Sequence, residues 1–134
     1  MEIAGIKIHF SFLLYVLSMF LPIFINAFVL GFMGLLLGWI GLLGGNLLIG
    51  ISWLSNIFYL VSLLGKKFRL KIRIGLSITA IFFGLLAIGI REIPENEGGN
   101  NMEVYVGLGY LVWMASFIHL LLDQRKELKS INVG

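Results

Sequence analysis

Residues 8–65 contain no Asp, Glu, Lys or Arg. An uncharged apolar run of that length is far longer than a soluble core helix. A bilayer hydrocarbon core about 30 Å thick takes about 20 apolar residues per helix, so the run predicts two spanning helices and a short segment between them. Two further apolar segments follow, divided by a basic stretch and a polar one. The pattern predicts an all-α fold, an integral membrane four-helix bundle. It forms one transmembrane domain over residues 1–134, with spans at about 8–30, 47–64, 72–90 and 104–122, a cytoplasmic loop at 65–71 and an external loop at 91–103.

Polar and small residues refine this outline. Pro22 lies inside the first span and removes a backbone donor, predicting a kink over 18–22. Asn26, near the far interface, is expected to cap or bridge backbone. The segment around Lys7 lacks a basic leader region and its apolar run exceeds the usual 7–15 residues of a signal peptide, so an uncleaved span is expected. Gly31, Gly34, Gly38, Gly41 and Gly45 recur at spacings of 3, 4, 3 and 4, on one side of a helix. Small residues at that spacing let backbones approach closely in a membrane. The prediction is a short extra helix over 32–43, lying in or dipping into the outer leaflet with Trp39 as an interfacial anchor, before Gly44, Gly45 and Asn46 turn the chain. A flexible glycine turn is one alternative. Another is a single tilted helix over 35–64, about 45 Å long at 1.5 Å per residue.

Ser52, Ser55, Asn56, Tyr59 and Ser62 fall at i, i+3, i+4, i+7 and i+10, a continuous polar stripe on the second span. Lipid would leave these groups unpaired, so the stripe must face protein, either as glue between helices or as the lining of a polar pathway or ligand cleft. On the third span Ser77, Ala80, Gly84 and Ala87 form a small-residue stripe for docking. Tyr105, Gly109, Val112, Ser116, His119 and Asp123 share a face of the fourth. Pro94 is expected to end the third helix, and Asn100 with Glu103 reads as a capping box opening the fourth.

The chain has ten Lys and Arg against seven Asp and Glu, and no Cys. The absence of Cys excludes disulfides, zinc–thiolate sites and thiol chemistry. Lys66, Lys67, Arg69, Lys71 and Arg73 are packed between two apolar spans, where orientation and anionic lipid account for them better than nucleic acid does. With that loop inside, nine basic residues face Glu2, Asp123 and Glu127 in the cytoplasm, and Arg91 faces Glu92, Glu95, Glu97 and Glu103 outside. The two sides then carry +6 and −3, as the positive-inside rule requires, with both termini cytoplasmic.

His9 and His119 are placed at the cytoplasmic ends of their spans, and a bis-histidine haem is carried as an alternative on that ground alone. His119 and Asp123 also form an ordinary i, i+4 pair. The carboxylates of 91–103 lack calcium-loop spacing, so no metal site is assigned. No nucleophile, zinc-protease or phosphate-cradling motif is present, and the interior segments offer no deep ionisable group, which points away from catalysis.

Gly38-Trp39-Ile40-Gly41-Leu42-Leu43 is followed by Trp53-Leu54-Ser55-Asn56-Ile57-Phe58-Tyr59-Leu60, and the last span carries Gly109-Tyr110-Leu111-Val112-Trp113-Met114-Ala115-Ser116. Together these resemble elements of small uncharacterised bacterial four-span inner-membrane proteins, a resemblance that implies no activity. The expectation is a non-enzymatic protein without a cofactor, acting through helix packing as an accessory or assembly subunit of a larger bacterial membrane complex. Its partners would be membrane lipids and other membrane proteins. An immunity-type protein against a membrane-active toxin, and a haem-binding or small-molecule transport protein, are the alternatives.

Overall fold

The computed structural model describes residues 2–3, 6–7, 9–95 and 98–134, with side chains from His9 onward. Ile8, Asn96 and Glu97, and the side chains of Glu2 and Lys7, which enter the span and charge assignments above, lie outside the described residues. The chain begins with a two-stranded antiparallel pair, β1 (Glu2–Ile3) and β2 (Ile6–Lys7). It continues through α1 (Phe10–Met19), α2 (Gly31–Leu37) with a 3-10 extension (Gly38–Leu43), α3 (Leu47–Leu64), and α4 (Leu70–Leu85) with a 3-10 extension (Leu86–Gly89). A hairpin, β3 (Glu92–Pro94) and β4 (Asn101–Glu103), leads into the long α5 (Leu108–Val133). The fold is mostly helical, as expected. Helices α3 and α4 pack together, α5 packs on α1 and α4, and the α2 segment lies along α3.

A helix running through 8–30 does not form, because α1 stops at Met19. Pro22 has no N–H to continue the ladder, and its ring would collide with the carbonyl of Ser18. That carbonyl accepts from Leu21 N–H at 3.3 Å instead. The following chain is extended and pairs on two edges. Ile23 N–H donates to Val29 O at 2.8 Å, and Ile25 N–H to Tyr105 O at 2.9 Å. Gly107 and Gly109 N–H donate to Ile23 O and Pro22 O at 2.6 and 2.8 Å. A broken helix is tolerable in an apolar surrounding only when its backbone groups are satisfied in this way.

The same pairing moves the start of the last helix. Residues 101–107 are engaged by β3 and by the chain around Phe24, so α5 begins at Leu108, not at 104, and Asn100 with Glu103 forms no capping box. Pro94 likewise lies in β3, because α4 has already tightened and ended at Gly89. Between α1 and α3 the short helix forms, and the single long one does not. Gly44 turns with φ +120°, a conformation open chiefly to glycine, and Asn46 caps α3, its Oδ1 accepting from Leu48 N–H at 3.1 Å.

Among the described residues, two helical segments are long and apolar enough to cross a membrane, Leu47–Leu64 and Leu70–Gly89. Phe10–Met19 and Gly31–Leu43 are apolar but shorter. Polar side chains share the interior with apolar ones, and many large apolar side chains are exposed. Ser11, Ser55, Ser62, Ser77, Ser116 and Gln124 are at most 2% exposed, while Leu17, Phe28, Leu43, Leu64 and Phe82 are 50% exposed or more. Small and hydroxylated residues lie in the seams between helices beside a core that includes Tyr59, Phe117 and Leu120, and many large aliphatic side chains point outward.

Candidate functional site

Asn56 sits halfway along α3, and its amide joins three helices. Its Oδ1 accepts from the Tyr15 hydroxyl of α1 at 3.0 Å and from Trp113 Nε1 of α5 at 2.9 Å, while its Nδ2 donates to Trp53 O one turn back at 3.0 Å. The site follows from the sequence of each helix. The polar stripe of α3 faces inward because its opposite face, Ile57, Val61 and Leu64, is exposed and apolar. Tyr15 reaches across because α1 is held against α5.

Around this amide lies a cleft of about 400 Å³. Its lining runs from Tyr15, Ser18 and Met19 at the end of α1 past α2 and α3 to Gly109, Tyr110 and Trp113 of α5. Met19, Ile23, Met33, Ile49, Trp53 and Ala87 make up much of its wall, and none of its lining residues is charged. Ser52 also lines it, 3% exposed, and its hydroxyl has no hydrogen-bond partner among the described residues. Trp53 is fixed by its Nε1–H, which donates to Leu35 O of α2 at 2.8 Å.

The glycine stripe is what allows the cleft's outer wall to form. A Cβ on Gly31 would lie 2.2 Å from Ser18 O of α1, one on Gly38 would lie 2.7 Å from the Trp53 ring, and one on Gly41 would lie 2.6 Å from both Asn46 O and Gly50 N. Gly34 faces Ile23, and Gly45 has ordinary room. Four of the five therefore mark close approaches, to three different parts of the chain. The stripe does not meet a single helix.

Two further polar groups tie the bundle below the cleft. Ser11 Oγ donates to Ser116 O at 2.7 Å, so the proton in its 2.8 Å contact with Tyr59 comes from the tyrosine, whose ring stacks on Tyr15 at 4.8 Å. Ser116 in turn donates to Trp113 O, and Ser55 to Ser52 O. Nearer the basic end, Ser77 Oγ donates to Gln124 Oε1 at 2.8 Å, Gln124 Nε2 donates to Ser62 Oγ at 2.8 Å, and the two serine oxygens lie 2.7 Å apart. Ser62 Oγ itself donates to Arg73 O at 2.8 Å, so the three side chains form a ring of contacts anchored to the backbone of α4. Arg73 Nε donates to Ser62 O at 2.9 Å, placing a cation at the carbonyl end of α3, where the helix dipole favours it. Lys66, Lys67, Arg69 and Lys71 are exposed around it.

His9 and His119 do come together, but on a carboxylate. Their Nδ1 atoms lie 3.7 and 3.3 Å from the same Asp123 oxygen, and the Phe10 ring packs edge-on against His119 at 4.9 Å. The contact of His119 is too poorly directed to count as a hydrogen bond. Among the described residues, no group of three or more His, Cys, Asp or Glu is arranged to hold a metal ion. At the opposite end Asn26 bridges backbone as expected, its Nδ2 donating to Glu103 O and its Oδ1 accepting from Tyr105 N–H.

Sequence reasoning found Asn56, Ser62 and Ser77 and missed two of their partners, Tyr15 and Gln124. Tyr15 and Gln124 carried no periodic signal beyond being polar groups in or beside apolar helices, and that property is the signal that would have found them. No protein-family model, curated protein or solved structure matches the chain.

Proposed function

We propose that the chain is a non-enzymatic integral membrane protein of a bacterial inner membrane, crossing the bilayer four times with both termini cytoplasmic, and that it works as an accessory or assembly subunit of a larger membrane complex. The observation that carries the reading is the extensive apolar exterior, with many Leu, Ile and Phe exposed over an interior that also holds buried serines, Asn56 and Gln124. In water, such an apolar surface would drive aggregation; in lipid it is the natural exterior, and small and polar residues are the natural seams.

Helix α3, at 18 residues, spans about 27 Å, close to the hydrocarbon thickness. In this reading the first crossing is α1 completed by the extended chain that follows it, and the fourth is the apolar part of α5 up to Leu122. The basic residues from Lys66 to Arg73 would face the cytoplasm and the acidic hairpin the outside, by the positive-inside rule. The bacterial setting rests on the sequence resemblance. Exposed stripes such as Ile78, Phe82 and Leu85 on α4 offer surfaces for lipid or a neighbouring helix.

Purification of the tagged chain from native membranes in a mild detergent tests the subunit role. A stoichiometric membrane partner is expected. A chain that emerges alone would contradict that role.

A further inference from the structure

The cleft beside Asn56 has polar capacity that the fold itself does not use. Ser52 is buried in its wall with an unpartnered hydroxyl. Leaving such a group unsatisfied is costly, and the nearby helix backbone does not relieve it. One turn further along α3, Asn56 Nδ2 uses one of its two N–H donors on Trp53 O, while its Oδ1 is already occupied by two donors, Tyr15 and Trp113. Two donors are therefore free on this wall, the Ser52 O–H, whose oxygen can also accept, and one Asn56 N–H, a turn apart on the same face.

The remaining wall is mostly apolar and aromatic, and none of the described residues lining it is charged. An ionised ligand would be left without a counter-charge in a low-dielectric site. A volume of about 400 Å³ lies within the range of small-molecule sites. The interrupted backbone at Pro22 borders the same space, and irregular backbone at membrane depth occurs where it is buried in protein or lines a cavity.

We propose that this cleft binds a neutral lipid whose head presents a carbonyl oxygen, which accepts hydrogen bonds from Ser52 Oγ and Asn56 Nδ2 while the aliphatic body lies against Met19, Ile23 and Ile49. An acyl ester and a prenylated quinone both supply that chemistry. The proposal rests on the membrane setting of the preceding reading and not on the subunit role. A chain that purifies without partners yet binds the lipid overturns only that role.

Tryptophan fluorescence gives the test, because Trp53 and Trp113 line the cleft while Trp39 is 44% exposed elsewhere. The full chain carrying Trp39→Phe, in alkyl maltoside micelles, is titrated with a decyl-substituted benzoquinone and, separately, with a monoacylglycerol brominated in mid-chain. Both quench indole on contact. Saturable quenching is expected from at least one, and the quinone alone or the ester alone would identify the source of the carbonyl. A brominated alkyl maltoside, with the same chain and no carbonyl, should quench without saturation.

Ser52→Ala should weaken binding about fivefold, the loss of one hydrogen bond, and Ser52→Thr, which keeps the hydroxyl, should stay within about twofold. Circular dichroism melts establish that each variant is folded. Saturation with neither lipid, or equal affinity in wild type and Ser52→Ala, would overturn the proposal.

Discussion

Tyr15 and Asn56, 41 positions apart, are joined by a 3.0 Å hydrogen bond inside the bundle, and Trp113 Nε1 reaches the same Asn56 oxygen from a third helix. One amide thus fixes the mutual rotation of α1, α3 and α5. Asn56→Leu removes the acceptor and leaves a buried hydroxyl and an indole N–H unpaired. Interhelical hydrogen bonds in membranes average only about 0.6 kcal/mol, well below the penalty for orphaned groups in a soluble core. We therefore expect a loss of about 1–2 kcal/mol in reversible unfolding from detergent micelles. A double-mutant cycle with Tyr15→Phe should recover a coupling of about 0.6 kcal/mol. Additive single effects would show that the Tyr15 bond contributes nothing.

The ring of Ser62, Ser77 and Gln124 makes a different prediction, because its members act together. Ser77→Ala breaks two of its contacts, so adding Gln124→Leu should cost less than Gln124→Leu does alone. The same unfolding assay measures this non-additivity. Strictly additive losses would mean that the three groups do not cooperate.

Glycine substitutions separate close packing from mere flexibility. A Cβ at Gly41 would meet Asn46 and Gly50 backbone at 2.6 Å, so Gly41→Ala should destabilise by about 1–3 kcal/mol. Gly75, on the exposed face of α4, has nothing within 4 Å. There Gly75→Ala should stabilise by about 0.4–1 kcal/mol through the unfolded chain and helix propensity. Equal effects at the two positions would refute the packing assigned to Gly41.

The long-period features of the sequence were the legible ones. The α3 stripe from Ser52 to Ser62 faces inward, the seam of Ser77, Ala80, Gly84 and Ala87 is buried, and the chain turns at Gly44 as expected, with Asn46 also capping α3. What could not be read was where helices yield to pairing between distant segments. Pro22 signals a break, but only the donors at Gly107 and Gly109, more than eighty residues on, make an extended path after Met19 affordable. The same long-range pairing moved the start of α5 to Leu108 and dissolved the capping box at Asn100. Gln124 was hidden because its partners come from two other helices, and local periodicity carries no record of them.

The central claim is that lipid surrounds this bundle and that the basic and acidic ends lie on opposite sides of it. The chain has no Cys, so single cysteines report without background. Lys67→Cys and Glu95→Cys, both at exposed positions, are to be expressed in a bacterial inner membrane and treated with a membrane-impermeant maleimide, before and after the membrane is opened. The account predicts that Glu95→Cys reacts in intact cells and Lys67→Cys only after opening. Reaction of both from the same side, or recovery of the wild-type chain in aqueous buffer without detergent, would contradict it.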